Sequence, residues 1–184
     1  MTPYTDSINS HASRREWIVD HWTSYLSALA DPNQPQAAFA ALQAITEETV
    51  GTKLFTVMTH DPANGMSRRI YSSNPEAYPT GGYKPLRPTL FSRTTLEERK
   101  PFSALTIEAI AEVFADYELI RSLGCESCCN IPVVIGGEVA GTVNLLDVKG
   151  YYDAGKVAAA MAIRPYAIPA MLLAARHERE GAKA

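Results

Sequence analysis

Outside a five-residue window the chain has no cysteine. All three cysteines are Cys125, Cys128 and Cys129. An odd, clustered set does not make a closed disulfide framework, and thiols in a reducing compartment stay free. Long apolar runs are also missing. Nothing approaches the roughly 20 consecutive apolar residues that span a bilayer, and the opening MTPYTDSINSHASRREW lacks the apolar stretch of a signal peptide. No membrane association is expected, and a cytoplasmic location is the default. There is little charge imbalance: 17 Lys and Arg against 20 Asp and Glu give a net charge of −3, with both signs mixed along the chain. Without a basic stripe, no nucleic-acid partner is expected. Repeats and low-complexity tracts are absent, as is any helix-turn-helix, kinase or cyclase segment.

What remains is a chain of 184 residues, 46% hydrophobic, enough for one domain to bury a core without disulfides or metals. The strongest local signal lies between Gly124 and Asp147. Ile131–Ile135 and Val139–Leu146 are apolar runs joined by Gly136-Gly137, the signature of a β-hairpin with a primed turn. Gly141 inside the second run predicts a bulge or a close backbone approach. Pro132 cannot donate a ladder bond and predicts an edge or bulge position.

In chain order, Ser13 and Glu16 form a capping box for a first helix that Asp31-Pro32 ends. A second helix runs from about Gln36 to Val50, with Gly51 as its stop. Strands follow at 53–59 and 66–72, separated by turn chemistry at 60–65. Residues 73–88, SNPEAYPTGGYKPLRP, carry four prolines and two glycines and predict a long irregular loop, a length that usually serves a ligand site. The LEER at 96–99 predicts one helical turn. Thr106 caps a helix whose apolar stripe is Ile107, Ile110, Val113, Phe114, Tyr117 and Ile120, ending at Gly124. A last helix spans about 154–177, with Pro165 and Pro169 predicted to kink or split it. Helices separated by hairpins imply an α+β fold, a central antiparallel sheet with helices on its faces.

That order, with Gly124, Ser127, Asn130, Pro132, Val133, Gly137, Gly141, Asn144 and Leu145 in sequence, resembles the GAF domain family. The YSSNPEAYPTGGYKP stretch at 71–85 also looks like one in stand-alone bacterial GAF proteins. The resemblance implies a GAF/PAS-like sheet flanked by helices, with the N- and C-terminal helices packed together. It implies a tail and helix at 1–34, the GAF domain at 35–177 and a disordered tail at 178–184. It also implies a sensor-like module that binds a small molecule, and a homodimer through the terminal helices. No cofactor or metal is assigned.

The candidate ligand-binding residues are Tyr71, Ser72, Tyr78, Tyr83 and Phe91 from the loop region, Asp116 and Tyr117 from the helix, and Asn130 and Asn144 from the hairpin. The polar side chains of Asn130 and Asn144 in apolar strands require partners, in a neighbouring loop or in a ligand. Arg68, Arg69, Lys84 and Arg87 suit an anionic ligand, and the tyrosines an aromatic one; solvated surface is the other reading of these basic residues.

The alternative function is enzymatic, with Cys125, Cys128 or Cys129 as nucleophile or redox thiol. Free methionine-(R)-sulfoxide reductase is a GAF-fold enzyme of this kind, although its thiols are spaced more widely than C-x-x-C-C. Strict alternation places Cys125 and Cys129 on one face and Cys128 on the other. Cys125 follows a helix C-terminus, where the dipole disfavours a thiolate, and His60, with Arg68 or Arg69, could activate the other two. Core packing is the alternative role for all three.

Overall fold

The structure is a computed structural model that describes residues 20–61 and 63–181. The Ser13 capping box lies outside the described residues. The described part of the first helix, α1, covers residues 20–29. Helix α2 (Gln36–Thr49) ends at Gly51, whose φ of 87° is the left-handed stop expected of it. Then come β1 (Leu54–Asp61), β2 (Met66–Ser72), β3 (Gly81–Pro85), a π-helical turn (Ser92–Glu97), β4 (Phe102–Ala104), α3 (Ile107–Ala111), α4 (Tyr117–Ser122), β5 (Ser127–Ile135), β6 (Glu138–Asp147), α5 (Ala154–Met161) and α6 (Arg164–Gly181).

The strands form one six-stranded sheet in the order β3-β2-β1-β6-β5-β4, every neighbouring pair antiparallel. The Gly-Gly hairpin is its centre. Gly136 and Gly137 take φ of 61° and 86°, the two positive values that a type I′ connection needs. The close approach expected at Gly141 is also present. A Cβ there would lie 2.3 Å from the Met58 carbonyl oxygen and 2.4 Å from Met171 Cε. Pro132 sits beyond the last β4 partner, since β4 pairs with Cys128, Cys129 and Asn130 alone. Its missing N–H therefore removes no bond to β4.

Period-2 alternation gives the sheet two unlike faces. Phe55 and Val57 of β1, Cys129, Ile131 and Val133 of β5, and Val143 and Leu145 of β6 form an uninterrupted apolar face. Helices α2, α5 and α6 cover it with Phe39, Leu42, Ala160, Ile163, Ala167 and Met171. Each fully buried large side chain there contributes roughly 1.5–3 kcal/mol. Terminal helices α1 and α6 meet at Tyr25 and Tyr166, whose rings pack edge to face at 5.1 Å. The opposite face mixes Leu54, Cys128 and Leu146 with Thr56, Asn130 and Asn144. Short helices and irregular segments cover it, and they do not fill the space above it.

Several sequence expectations shift. The helix expected between the Thr106 cap and Gly124 is two, α3 and α4, broken across residues 112–116. No Pro or Gly stands there. At the break Phe114 packs against Phe91 and Phe102, at centroid distances of 5.2 and 6.2 Å. The Thr106 cap holds as expected, its hydroxyl accepting from the Ala109 N–H. The 73–88 loop contains an edge strand, β3, which survives its glycines and terminal proline because only one of its sides needs a ladder. The helical turn expected at 96–99 falls at 92–97 instead. The last helix divides into α5 and α6, bent by 51°, with Pro165 in the first turn of α6 and Pro169 inside it. Helix α6 continues past 177 to Gly181, where Glu178 pairs with Arg68. No single helix among the described residues is long and apolar enough to cross a membrane.

Candidate functional site

One register row crosses the centre of the mixed face. Asn130 of β5 stands opposite Asn144 of β6, which stands opposite Thr56 of β1. Residues in one row point the same way, so their side chains chain together. Asn130 Nδ2 donates to Asn144 Oδ1 at 2.7 Å, and Asn144 Nδ2 donates to Thr56 Oγ1 at 3.3 Å. Asn130 Oδ1 is buried and has no partner among the described residues. The two asparagines thus find the required partners in each other and in β1, not in a loop.

Two further polar groups join this floor. His60, toward the end of β1, is bonded through Nε2 to Thr142 Oγ1 at 3.0 Å, and its Nδ1 is unpaired. Burial holds its pKa down to about 4 from the usual 6.5, so the ring is neutral near pH 7. Arg69 arrives from β2 through a bulge. Val57 pairs with Tyr71 but Met58 pairs with Arg69, which leaves Ile70 as the extra residue. Arg69 consequently faces the same side as Met58, while Tyr71 faces the same side as Val57.

The walls over this floor are Phe91 and Ser92 from the segment after β3, Val113 to Asp116 from the α3–α4 break, Ile120 of α4, and Tyr78. Lys84 and Arg87 stand at the exposed rim. The half-open cavity measures about 300 Å³, the lower end of the range for small-molecule sites. Tyr78 braces the wall: its ring lies 4.4 Å beneath the Arg69 guanidinium and its hydroxyl donates to Asp116 Oδ2 at 3.1 Å. Burial and the neighbouring Asp116 carboxylate push the Tyr78 pKa up, so the phenol keeps its proton.

Of the residues expected at the site, Tyr78, Phe91, Asp116, Asn130, Asn144 and Cys128 line this cavity. The others lie elsewhere. Tyr71 is turned onto the helix-covered face by the bulge, packs on Phe39 and Phe55, and donates to Gln43 Oε1 at 2.8 Å. Ser72 Oγ accepts from the Asn74 N–H at the start of the loop. Tyr83 is 65% exposed on β3, beside Arg68. Tyr117 packs at the margin of the second core. Thr56, Met58, Ser67, Val113 and Ile120 line the cavity without having been singled out. Ile120 and Val113 were visible only as members of an apolar stripe, and Thr56 becomes a site residue only through its register with Asn144.

The three cysteines are free and buried, at 1%, 1% and 0% exposure for Cys125, Cys128 and Cys129. Their expected facing needs correction. Strand β5 begins at Ser127, so alternation does not reach Cys125, whose N–H instead closes the α4 terminus on the Ile120 carbonyl at 3.2 Å. Cys125 and Cys128 therefore share the cavity-side core, and Cys129 lies in the other. Burial pushes Cys128 and Cys129 up to about 12 and also raises Cys125. Among the described residues no group of three or more His, Cys, Asp or Glu side chains is placed to hold a metal ion.

A six-stranded antiparallel sheet, one face closed by α2, α5 and α6 and the other hollowed beneath short helices and a proline-glycine segment, defines an α+β domain with a half-open pocket on one sheet face. The fold is that of GAF domains. The chain is similar to the GAF domain of a phosphoenolpyruvate-protein phosphotransferase from Coxiella burnetii, with a TM-score of 0.61 and 16% identity over 87% of this chain and 98% of that one. It is similar to the GAF domain of a two-component sensor histidine kinase from Bacillus halodurans, with a TM-score of 0.63 and 10% identity over 78% and 97%. It is also similar to a free methionine-R-sulfoxide reductase from Neisseria meningitidis in complex with its substrate, with a TM-score of 0.61 and 13% identity over 84% and 88%. No family model and no curated protein matches the sequence.

Proposed function

We propose that this chain is a sensor-like module that holds a small molecule in the cavity over Thr56, Asn130 and Asn144. The observation that carries the reading is the cavity itself: about 300 Å³, with an amide row as floor and Phe91, Phe114 and Ile120 as apolar walls. Apolar walls with a few fixed polar groups are the usual build of a small-molecule site. Asn130 and Asn144 hold each other in place, so the floor is ordered before a ligand arrives. The resemblance to GAF sensors points the same way. With it goes a homodimer through the terminal helices, on which Trp22, Leu26 and Leu172 stay exposed; sedimentation velocity reports its presence or absence.

The second reading is a thiol enzyme, favoured by the likeness to the Neisseria reductase and by Cys128 in the cavity wall. Against it stand the burial of all three thiols and their raised pKa values, the reverse of what activates a cysteine. Among the described residues His60 makes no hydrogen bond to any of the three thiols, and its pKa of about 4 makes it a weak base.

A metabolite panel read by thermal unfolding tests the sensor reading. A ligand at about 100 times its Kd adds about 2.7 kcal/mol, a rise of roughly 5–10 °C for a chain this size. Val113→Trp, at a half-buried wall position, fills the cavity and removes that rise. An undiminished rise in the filled variant places the ligand elsewhere and refutes the reading.

A further inference from the structure

We propose that the ligand is a small monocarboxylate with an apolar body, its carboxylate gripped by Arg69; this rests on the cavity being the binding site. Arg69 is a cation 9% exposed, and among the described residues no carboxylate lies within 4.0 Å of it. Its Nη1 donates to the Pro79 carbonyl at 3.3 Å, its plane rests on the Tyr78 ring, and its Nε has no partner. A guanidinium does not lose its proton in proteins. A buried charge left without an opposite charge is costly, so an anion entering this cavity relieves a cost that the empty protein carries.

The nearest acid relieves it only in part. Asp116 attracts Arg69 electrostatically but forms no ion pair with it within 4.0 Å, and its Oδ2 accepts from the Tyr78 hydroxyl and stands 3.9 Å from Lys84 Nζ. His60 is neutral and adds no charge. Lys84 and Arg87 are exposed at the rim, where water screens them. The interior therefore offers one positive charge with no carboxylate in direct contact, which fits a monoanion. One planar fork, with one nitrogen already committed to Pro79, suits the two oxygens of a carboxylate, and a single cation leaves the second charge of a phosphate dianion without a partner. Across from Arg69, Phe91, Phe114, Ile120 and Leu146 present apolar surface, which fits a branched or aromatic body. The β2 bulge is what brings this cation inside: in an unbulged strand, with Ile70 paired in register, Arg69 and Tyr71 share a face.

The test compares matched acids and amides on the full chain by calorimetry and thermal unfolding: 4-methylpentanoate against 4-methylpentanamide, and benzoate against benzamide, with phenyl phosphate as a third arm. A hydrogen-bonded charge pair of this kind predicts acids binding roughly 10- to 100-fold tighter than their amides. Arg69→Gln erases that difference, and Arg69→Lys restores part of it. Should Arg69→Gln fail to fold, the acid–amide comparison on the unaltered protein decides alone. Equal affinity for acids and amides, with Val113→Trp still abolishing both, overturns the carboxylate assignment and leaves the cavity reading intact. Tighter binding of phenyl phosphate than of benzoate also overturns it. Absence of binding by every probe counts against the assignment, and then only the wider panel bears on the cavity.

Discussion

The thiols offer the sharpest separation between a sensor and an enzyme. The perturbation is a thiol-reactive aromatic disulfide added to the native protein at pH 8. A thiol with a pKa of about 12, as burial gives Cys128 and Cys129, is ionised to about one part in 10,000 at that pH, while a free thiol near 8.5 is about one quarter ionised. Ionisation alone slows the reaction roughly 2,000-fold. Access slows it further, because exposures of 1% and 0% leave no path for an aromatic reagent without opening of the structure. Cys125 is raised in the same direction, by burial that outweighs Lys53. The expected trace, followed by absorbance, is therefore flat over minutes in the native state and rises to three equivalents once denaturant is added. Repeating the assay across pH gives no inflection below 8.5. One equivalent released quickly from the native protein, with an apparent pKa under that value, refutes the reasoning and revives the thiol enzyme.

Gly141→Ala tests the close crossing of β1, β6 and α6. Met171 is flexible and its methyl yields, but the Met58 carbonyl at 2.3 Å is backbone, so overpacking costs about 1–3 kcal/mol, outweighing the ~0.4–1 kcal/mol that losing a glycine returns through the unfolded chain. Gly155→Ala in α5, where the nearest atom is Asp153 Oδ1 at 3.4 Å, is neutral or stabilising by up to about 1 kcal/mol; urea midpoints for the two variants check the contrast, and equal midpoints contradict it. His60 predicts acid sensitivity. Its native pKa of about 4 lies below the unfolded value of 6.5, so its contribution is complete above about pH 6.5 and is lost as pH falls through 4. The decline in unfolding midpoint between pH 7 and 4 should be shallower in His60→Gln than in the unaltered protein, and an identical decline removes His60 from the account.

Features set by one or two residues were legible in the sequence. Positive φ at Gly51, Gly124, Gly136 and Gly137 is a local demand that glycine alone meets cheaply, so helix stops and the central hairpin could be read directly. Pro165 sits in the first turn of α6, where its missing N–H costs nothing. The alternation of Cys129, Ile131 and Val133 against Cys128 and Asn130 already separated the two faces of β5. Asn130, Asn144, Tyr78, Phe91 and Asp116 stood out because polar groups in apolar strands, and aromatics beside turn residues, need partners that local sequence does not supply.

What the chain settles unaided is thus where its helices stop, where its central hairpin turns, and which central strand positions share a face, because those depend on steric limits within a few residues. Which residues meet across the pocket was left to the tertiary structure. The Ile70 bulge arises from the mismatch between β1 and β2, and it turns Arg69 toward the cavity and Tyr71 onto the helix-covered face. At the break between α3 and α4, Phe114 docks on Phe91 and Phe102. Burial of the cysteines beneath both layers raises their pKa values. Each of these is an interaction between segments distant along the chain, and no local pattern encodes it.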